Sequence, residues 1–151
     1  MNKVNIRLMK ESDLDNVLLI ENESFKDKWS RKHYLYELNE NPFSVLYILE
    51  KDSLLIGYLV FMITFHSASI SKIAIKKEYR KLNYASLLMN QMIKHLLEIH
   101  DETIEVVTLE VRVSNIAAIN FYKKHHFEIV TTKPQYYQDG EDAYYMIRRL
   151  L

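Results

Sequence analysis

Between Ser67 and His125 the chain passes twice from a strand-like run into a helical one. The first run, Ser67–Ile75, leads through Lys76–Tyr84 into a stripe of Ala85, Leu88, Met92, Leu96 and Ile99, which recurs at the helical period. The second, Glu105–Val113, alternates cleanly. Val107, Leu109, Val111 and Val113 face one way, Thr108, Glu110 and Arg112 the other, and a helix follows from about Asn115 to His125. Strands joined through a helix in one sheet run parallel with a right-handed connection. A chain built on this unit needs a sheet with helices packed against it, and such sheets bind ligands beyond the carboxyl ends of strands, near helix N-termini.

The flanking segments extend the sheet. Val4, Ile6 and Leu8 alternate with polar residues as a half-buried strand, and Ser12 followed by Asp13 and Asp15 reads as an N-cap with an acidic first turn. Leu14, Val17, Leu18 and Phe25 form the stripe of that helix. Ser30 caps a second helix carrying Tyr34, Leu35 and Leu38, which Asn41-Pro42 ends. Strands are expected at Ser44–Glu50 and Leu54–Phe65, then near Phe127–Lys133 and Ala143–Arg149. The order β-α-α-β-β-β-α-β-α-β-β is that of an α/β domain with helices on both faces of a mixed sheet. At 151 residues, without a linker or repeat, residues 1–151 read as a single domain.

Composition narrows the function classes. Twenty basic and twenty acidic side chains leave no general positive field, so nucleic-acid binding is not expected. The absence of cysteine excludes disulfides, thiolate-held zinc and a thioester on the enzyme. His95 and His100 are five apart and His125 and His126 adjacent, so no pair has helical zinc spacing and no metal is expected. The longest apolar run, Leu54–Phe65, is too short to span a bilayer, and the first residues carry no signal-peptide core. A cytoplasmic protein without membrane contact is the expectation.

Two stretches carry candidate chemistry. Lys76, Lys77, Arg80 and Lys81 surround the start of the helix at Tyr84. The first N–H groups of a helix lack partners and its dipole favours an anion, so a pyrophosphate suits this place, although a charge run alone more often marks a solvated turn. The second stretch is Leu109-Glu110-Val111-Arg112, Ser114-Asn115 and Ala118 to Tyr122. Taken singly, Glu110 reads as a strand carboxylate, Asn115 as a helix N-cap and Tyr122 as a core aromatic with its hydroxyl at the rim.

Together these residues resemble the GNAT N-acetyltransferase superfamily, and within it the ribosomal-protein-alanine N-acetyltransferases of the RimI type. The loop Arg80-Lys81-Leu82-Asn83-Tyr84-Ala85 is similar to the family's pyrophosphate loop, with Asn83 and Ala85 where glycines are usual. Asn tolerates left-handed backbone, and Ala85 keeps the packing face small. Glu23-Ser24-Phe25 with Trp29-Ser30 resembles the substrate-side loop, Lys28 standing where proline is usual. Gln135-Tyr136-Tyr137 and Gly140-Glu141-Asp142-Ala143 with Met146 resemble the C-terminal segment, and His126 replaces the glycine that closes the last helix.

The resemblance implies a mostly antiparallel sheet of about seven strands with four helices, and acetyl-CoA as co-substrate. It implies that Lys81, Leu82, Asn83, Tyr84, Ala85 and Ser86 cradle the pyrophosphate, that Ile73, Ala74 and Ile75 align the pantetheine and thioester, and that Asn115 contacts CoA. Glu110 is then the general base, raised in pKa by burial, and Tyr122 the general acid. Trp29, Tyr136 and Tyr137 line the acceptor slot, and the acceptor is the N-terminal alanine of a small-subunit ribosomal protein. Amine chemistry agrees: an α-amine of pKa about 7.7–8.0 is roughly one-tenth neutral at pH 7, against about 0.04% for lysine. Two rivals are a small-molecule amine or lysine as acceptor, and a catalytically weak CoA-binding module partnering another protein, such as one that modifies tRNA.

Overall fold

The protein is described by a computed structural model over residues 3–151. In chain order its elements are β1 (Val4–Leu8), α1 (Leu14–Ser24), α2 (Arg31–Asn39), β2 (Ser44–Lys51), β3 (Leu54–Thr64), β4 (Ser67–Ile75), α3 (Tyr84–Lys94), β5 (Val106–Arg112), α4 (Ile116–Lys124), β6 (Glu128–Lys133) and β7 (Ala143–Arg149). One sheet runs β1-β2-β3-β4-β5-β7-β6. β4 and β5 are parallel, and the other neighbours antiparallel. The expected mixed, mostly antiparallel α/β architecture is what the chain adopts.

β3 lies inside the sheet and is covered on both faces, which explains its nearly unbroken apolar sequence. Tyr58 and Val60 pack with Leu14, Val17 and Ile20 of α1 and Tyr34 of α2. Leu59 and Phe61 pack on the other face with Leu88, Met89 and Met92 of α3 and Ile119 of α4. Each fully buried side chain of this size contributes about 1.5–3 kcal/mol over leaving it in water. The β2–β3 hairpin turns through Asp52 (φ 50°) and Ser53 (φ 68°), whose left-handed backbone matches the strand twist without a glycine.

Two local expectations are corrected. Ser12 is not an N-cap: Glu11–Asp13 form a short 3₁₀ turn before α1. The Asp13 carboxylate accepts from the Lys10 N–H at 2.8 Å and from both Arg7 terminal nitrogens at 2.8 Å, which draws the chain into the tighter turn. Ile99 leaves the α3 stripe. The chain widens into a π turn over His95–Ile99, closed by His100 N–H on the His95 carbonyl at 2.9 Å, so Leu96 stays buried while Ile99 rotates out.

The site is set by the limited pairing of β4 with β5. Only Ser67, Ala68 and Ser69 pair, with Val106, Val107 and Thr108. β4 continues to Ile75 and β5 to Arg112, so the strands diverge into a cleft. A bulge contributes, since Val60 opposes Lys72 and Phe61 opposes Ile70, leaving Ser71 as an extra residue in β4.

Gly57 is required by a close approach. A Cβ there would meet Ile75 Cδ1 at 2.6 Å and the Ala74 carbonyl oxygen at 2.9 Å. Gly57→Ala should therefore cost about 1–3 kcal/mol in urea unfolding, and wild-type stability would mean that β3 and β4 are less closely apposed. Asp13 offers a pH test. Its hydrogen bonds from Arg7 hold the carboxyl below its usual range. A depressed carboxylate contributes stability that is full above the unfolded pKa of about 3.9 and lost as pH falls through the lower folded value. Asp13→Asn should flatten that acid limb in a circular-dichroism titration.

Candidate active site

The cleft holds two adjoining cavities, of about 460 Å³ and 870 Å³. Ser24, Phe25, Ile73, Asn115, Ala118 and Tyr122 line both, and so mark the boundary between them.

The first cavity lies against the N-terminus of α3. Asn83 is left-handed (φ 69°) and directly precedes the helix, and Lys81 is left-handed too (φ 64°). This pattern turns successive N–H groups toward one side. The N–H groups of Lys81 through Ser86 have no acceptor among the described residues. Lys81, Asn83, Tyr84, Ala85 and Ser86 line the cavity, as do Ile73, Ala74, Ile75 and Asn115. The Leu82 side chain is exposed and is not part of the wall, so its N–H, the group the resemblance implies, is what it can offer.

Three cations also border the first cavity. Arg80 is fixed by donating to the Ile75 carbonyl (2.9 Å) and to Ser24 Oγ (2.9 Å), Lys81 borders it from the loop, and Lys124 of α4 reaches Asn83 Oδ1 at 3.4 Å. Unpaired N–H groups, a helix N-terminus and three cations are the donor set that a pyrophosphate requires. On the β4 wall, the Lys76 N–H donates to Ile56 of β3. Because successive N–H groups alternate along a strand, those of Ile73 and Ile75 face the cleft.

At the boundary, Tyr122 projects from α4 and is buried to 8% exposure. Its hydroxyl has no hydrogen-bond partner among the described residues, yet it is not sealed off from the cavities. Burial, with a contribution from Tyr137, pushes the phenol well above its ordinary range, so it stays protonated at neutral pH. Asn115 does cap α4, accepting from the Ala118 N–H at 3.2 Å. It also borders both cavities, so the structural and site readings of this residue coexist.

The second cavity contains Glu110, Trp29, Tyr136 and Tyr137, bringing the expected base together with the three residues expected to line the acceptor slot. Glu110 corrects one expectation. It is not buried but partly exposed, and its carboxylate pairs with the Lys133 ammonium at 3.2 Å. That ammonium also lies over the rings of Tyr136 (5.4 Å) and Tyr145 (4.6 Å). Burial pushes the Tyr137 phenol up to about 12.

Sequence reasoning assigned no role to Arg112. It joins the loop after α1, through Asp27 at 2.6 Å, to the β6–β7 loop, through Asp139 at 2.9 Å and Glu141 at 2.8 Å, and stacks on Tyr137 at 4.1 Å. The available signal was its position on the same strand face as Glu110. Among the described residues no cluster of three or more His, Asp or Glu could hold a metal ion. Nor is any described helix long and apolar enough to cross a membrane.

The acetyltransferase (GNAT) family model matches residues 14–127. The chain belongs to the GNAT acetyltransferase family. It is 37% identical to a Bacillus subtilis protein named as a candidate ribosomal protein bS18-alanine N-acetyltransferase, over 95% of this chain and 94% of the relative. It is 34% identical to the Caenorhabditis elegans N-alpha-acetyltransferase daf-31, over 97% and 83% of the two chains. Among solved structures, Ard1 from Thermoplasma volcanium superposes with a TM-score of 0.88 at 28% identity, covering 98% of both chains. This GNAT chain is an N-acetyltransferase, and acetyl-CoA is the donor that the family uses.

Asn83 stands at positive φ where glycine is usual in the GNAT loop. Asn83→Gly should keep stability within a few tenths of a kcal/mol, whereas Asn83→Val should cost about 1–2 kcal/mol and weaken CoA binding. Thermal unfolding and CoA titration of the two variants check this, and equal behaviour would show that the left-handed turn is not needed.

Proposed function

We propose that this chain is a protein N-α-acetyltransferase that transfers acetyl directly to the N-terminal amine of a peptide. The acceptor proposed is the alanine-led N-terminus of a small-subunit ribosomal protein, in a cytoplasmic setting, without nucleic-acid or membrane contact. The observation that carries this reading is the position of Tyr122, a protonated phenol on the boundary between a phosphate-suited cavity and one containing Glu110. The names of the Bacillus subtilis and Caenorhabditis elegans relatives support an α-amine acceptor, and the first of them supports the ribosomal one. Neither the cleft nor the relatives' names support an interaction module with a tRNA-modifying partner.

In this reading the N–H groups of Lys81–Ser86, together with Arg80, Lys81 and Lys124, hold the pyrophosphate of acetyl-CoA, and Asn115 contacts the arm. Bound there, acetyl-CoA supplies an acetyl group activated as a thioester. The cleft-facing N–H of Ile73, which borders both cavities, offers a hydrogen bond to developing oxyanion charge. Glu110 takes a proton from the acceptor amine, directly or through water, and Tyr122 holds the proton that the leaving sulfur requires. Trp29, Tyr136 and Tyr137 line the peptide's approach. With no cysteine in the chain, no thioester forms on the enzyme.

The test is acetyl transfer from acetyl-CoA to an alanine-led ribosomal peptide, an N-terminally blocked lysine peptide and a polyamine. Transfer to the first is expected, and transfer confined to the other two would overturn the α-amine acceptor. Tyr122→Phe should lower kcat about 10²-fold or more with CoA affinity nearly unchanged, and Glu110→Gln should lower kcat similarly. Wild-type turnover in either variant would remove that residue from its role.

A further inference from the structure

Beneath the acceptor-side cavity lie two oppositely charged groups that the proton transfers above do not use. Glu21 of α1 is fully buried and Lys72 of β4 is 7% exposed, and they pair at 2.9 Å. Both are saturated. Glu21 also accepts from the hydroxyls of Tyr34 and Tyr58 and from the Trp29 N–H at 2.8 Å. Lys72 also donates to the Asp27 carbonyl at 2.7 Å and lies 3.9 Å from the Phe25 ring centroid and 5.5 Å from that of Trp29. Burial opposes the Glu21 charge, but its donors outweigh that and hold its carboxyl below its ordinary value. Stability alone is a weak reason for such a pair, because well-packed apolar replacements are often neutral or stabilising.

The contacts on the far side supply the reason. Residues 26–29 form no backbone–backbone hydrogen bond among the described residues. Side chains suspend them instead: Glu21 on the Trp29 N–H, Lys72 on the Asp27 carbonyl, and Arg112 on the Asp27 carboxylate. The same segment supplies Asp27 and Trp29 to the wall of the acceptor-side cavity, and Lys72 borders that cavity itself. Of the three anchors, the two supplied by the paired Glu21 and Lys72 are shielded from solvent, whereas Arg112 holds a half-exposed carboxylate, so salt screens the Glu21–Lys72 pair much less.

We propose that Lys72 is a positioning residue for the acceptor: anchored by Glu21, its ammonium fixes the Asp27 carbonyl and the Phe25 and Trp29 rings, and so sets the shape of the acceptor slot. This rests on the reading of the larger cavity as the acceptor side. Lys72→Met alone strands the Glu21 charge, so the decisive variant combines Glu21→Gln with Lys72→Met, which removes both charges together. Trp29 is the only tryptophan, so its fluorescence reports the loop with no acceptor present.

In the folded double variant, acrylamide quenching of Trp29 should rise. The acceptor KM should rise about tenfold while the acetyl-CoA KM stays unchanged. Wild-type quenching with a wild-type acceptor KM overturns the proposal, and so does an equal rise in both KM values. If the wild-type protein acetylates no amine, the proposed function fails, and the quenching comparison still decides the role of Lys72.

Discussion

Three residue pairs of parallel ladder hold β4 to β5, and the cleft exists because the ladder stops there. Past Ser69 and Thr108 the strands separate, and the cleft-side groups of β4 lose the partners that a continuous sheet would give them. Backbone N–H groups away from water must be satisfied. A strand edge opened inside a sheet therefore favours an occupant that is extended and rich in hydrogen-bonding groups, as an amide-containing arm is. The bulge at Ser71 helps the strands part, and the close approach at Gly57 holds the upper part of β4 against β3 while its other side stays open.

The two sides of the cleft are built differently. The phosphate-suited side is largely backbone, a helix N-terminus, a left-handed turn and N–H groups that substitutions other than proline leave in place, with Arg80, Lys81 and Lys124 added to it. This explains how the loop tolerates Asn83 and Ala85 where glycines are usual, since the required features are a sign of φ and a small packing face. The acceptor side is made of side chains tied by ion pairs, Glu21 with Lys72, Glu110 with Lys133, and Arg112 with Asp27, Asp139 and Glu141. A backbone-built donor site can persist while the residues shaping acceptor choice vary, and Tyr122 sits where the two constructions meet.

What could be read from the chain follows the same division. Alternation at Val107, Leu109 and Val111, the stripe at Leu88 and Met92, and Ser30 and Asn115 as caps are local patterns, and the structure keeps each of them. The left-handed Asn83 and His126 were legible because the resemblance marks both as positions where glycine is usual, and both residue types tolerate positive φ. Ser12 and Ile99 misled because a tertiary contact, Arg7 on Asp13, and a widened helical turn overrode the local signal. The partners of Glu110, Lys72 and Arg112 were not legible, because a charge has no periodicity that names its mate across a fold. The expectation of a buried Glu110 failed for that reason: Lys133, 23 positions away, accompanies it at a partly open surface.

That failure bears on how an amine could reach the carboxylate. Lys133 is 39% exposed and Glu110 25%, so their attraction is screened and is of the class worth about 0–1 kcal/mol. A cation arriving at Glu110 can exchange with Lys133 at little cost, and the displaced ammonium keeps the faces of Tyr136 and Tyr145. Removing Lys72 from Glu21 would instead leave a carboxylate without its counter-ion in the core, a loss of about 3–5 kcal/mol. Two ion pairs at one cavity thus differ in kind. The exposed pair can open to an incoming amine, while the buried pair keeps the wall around it in place.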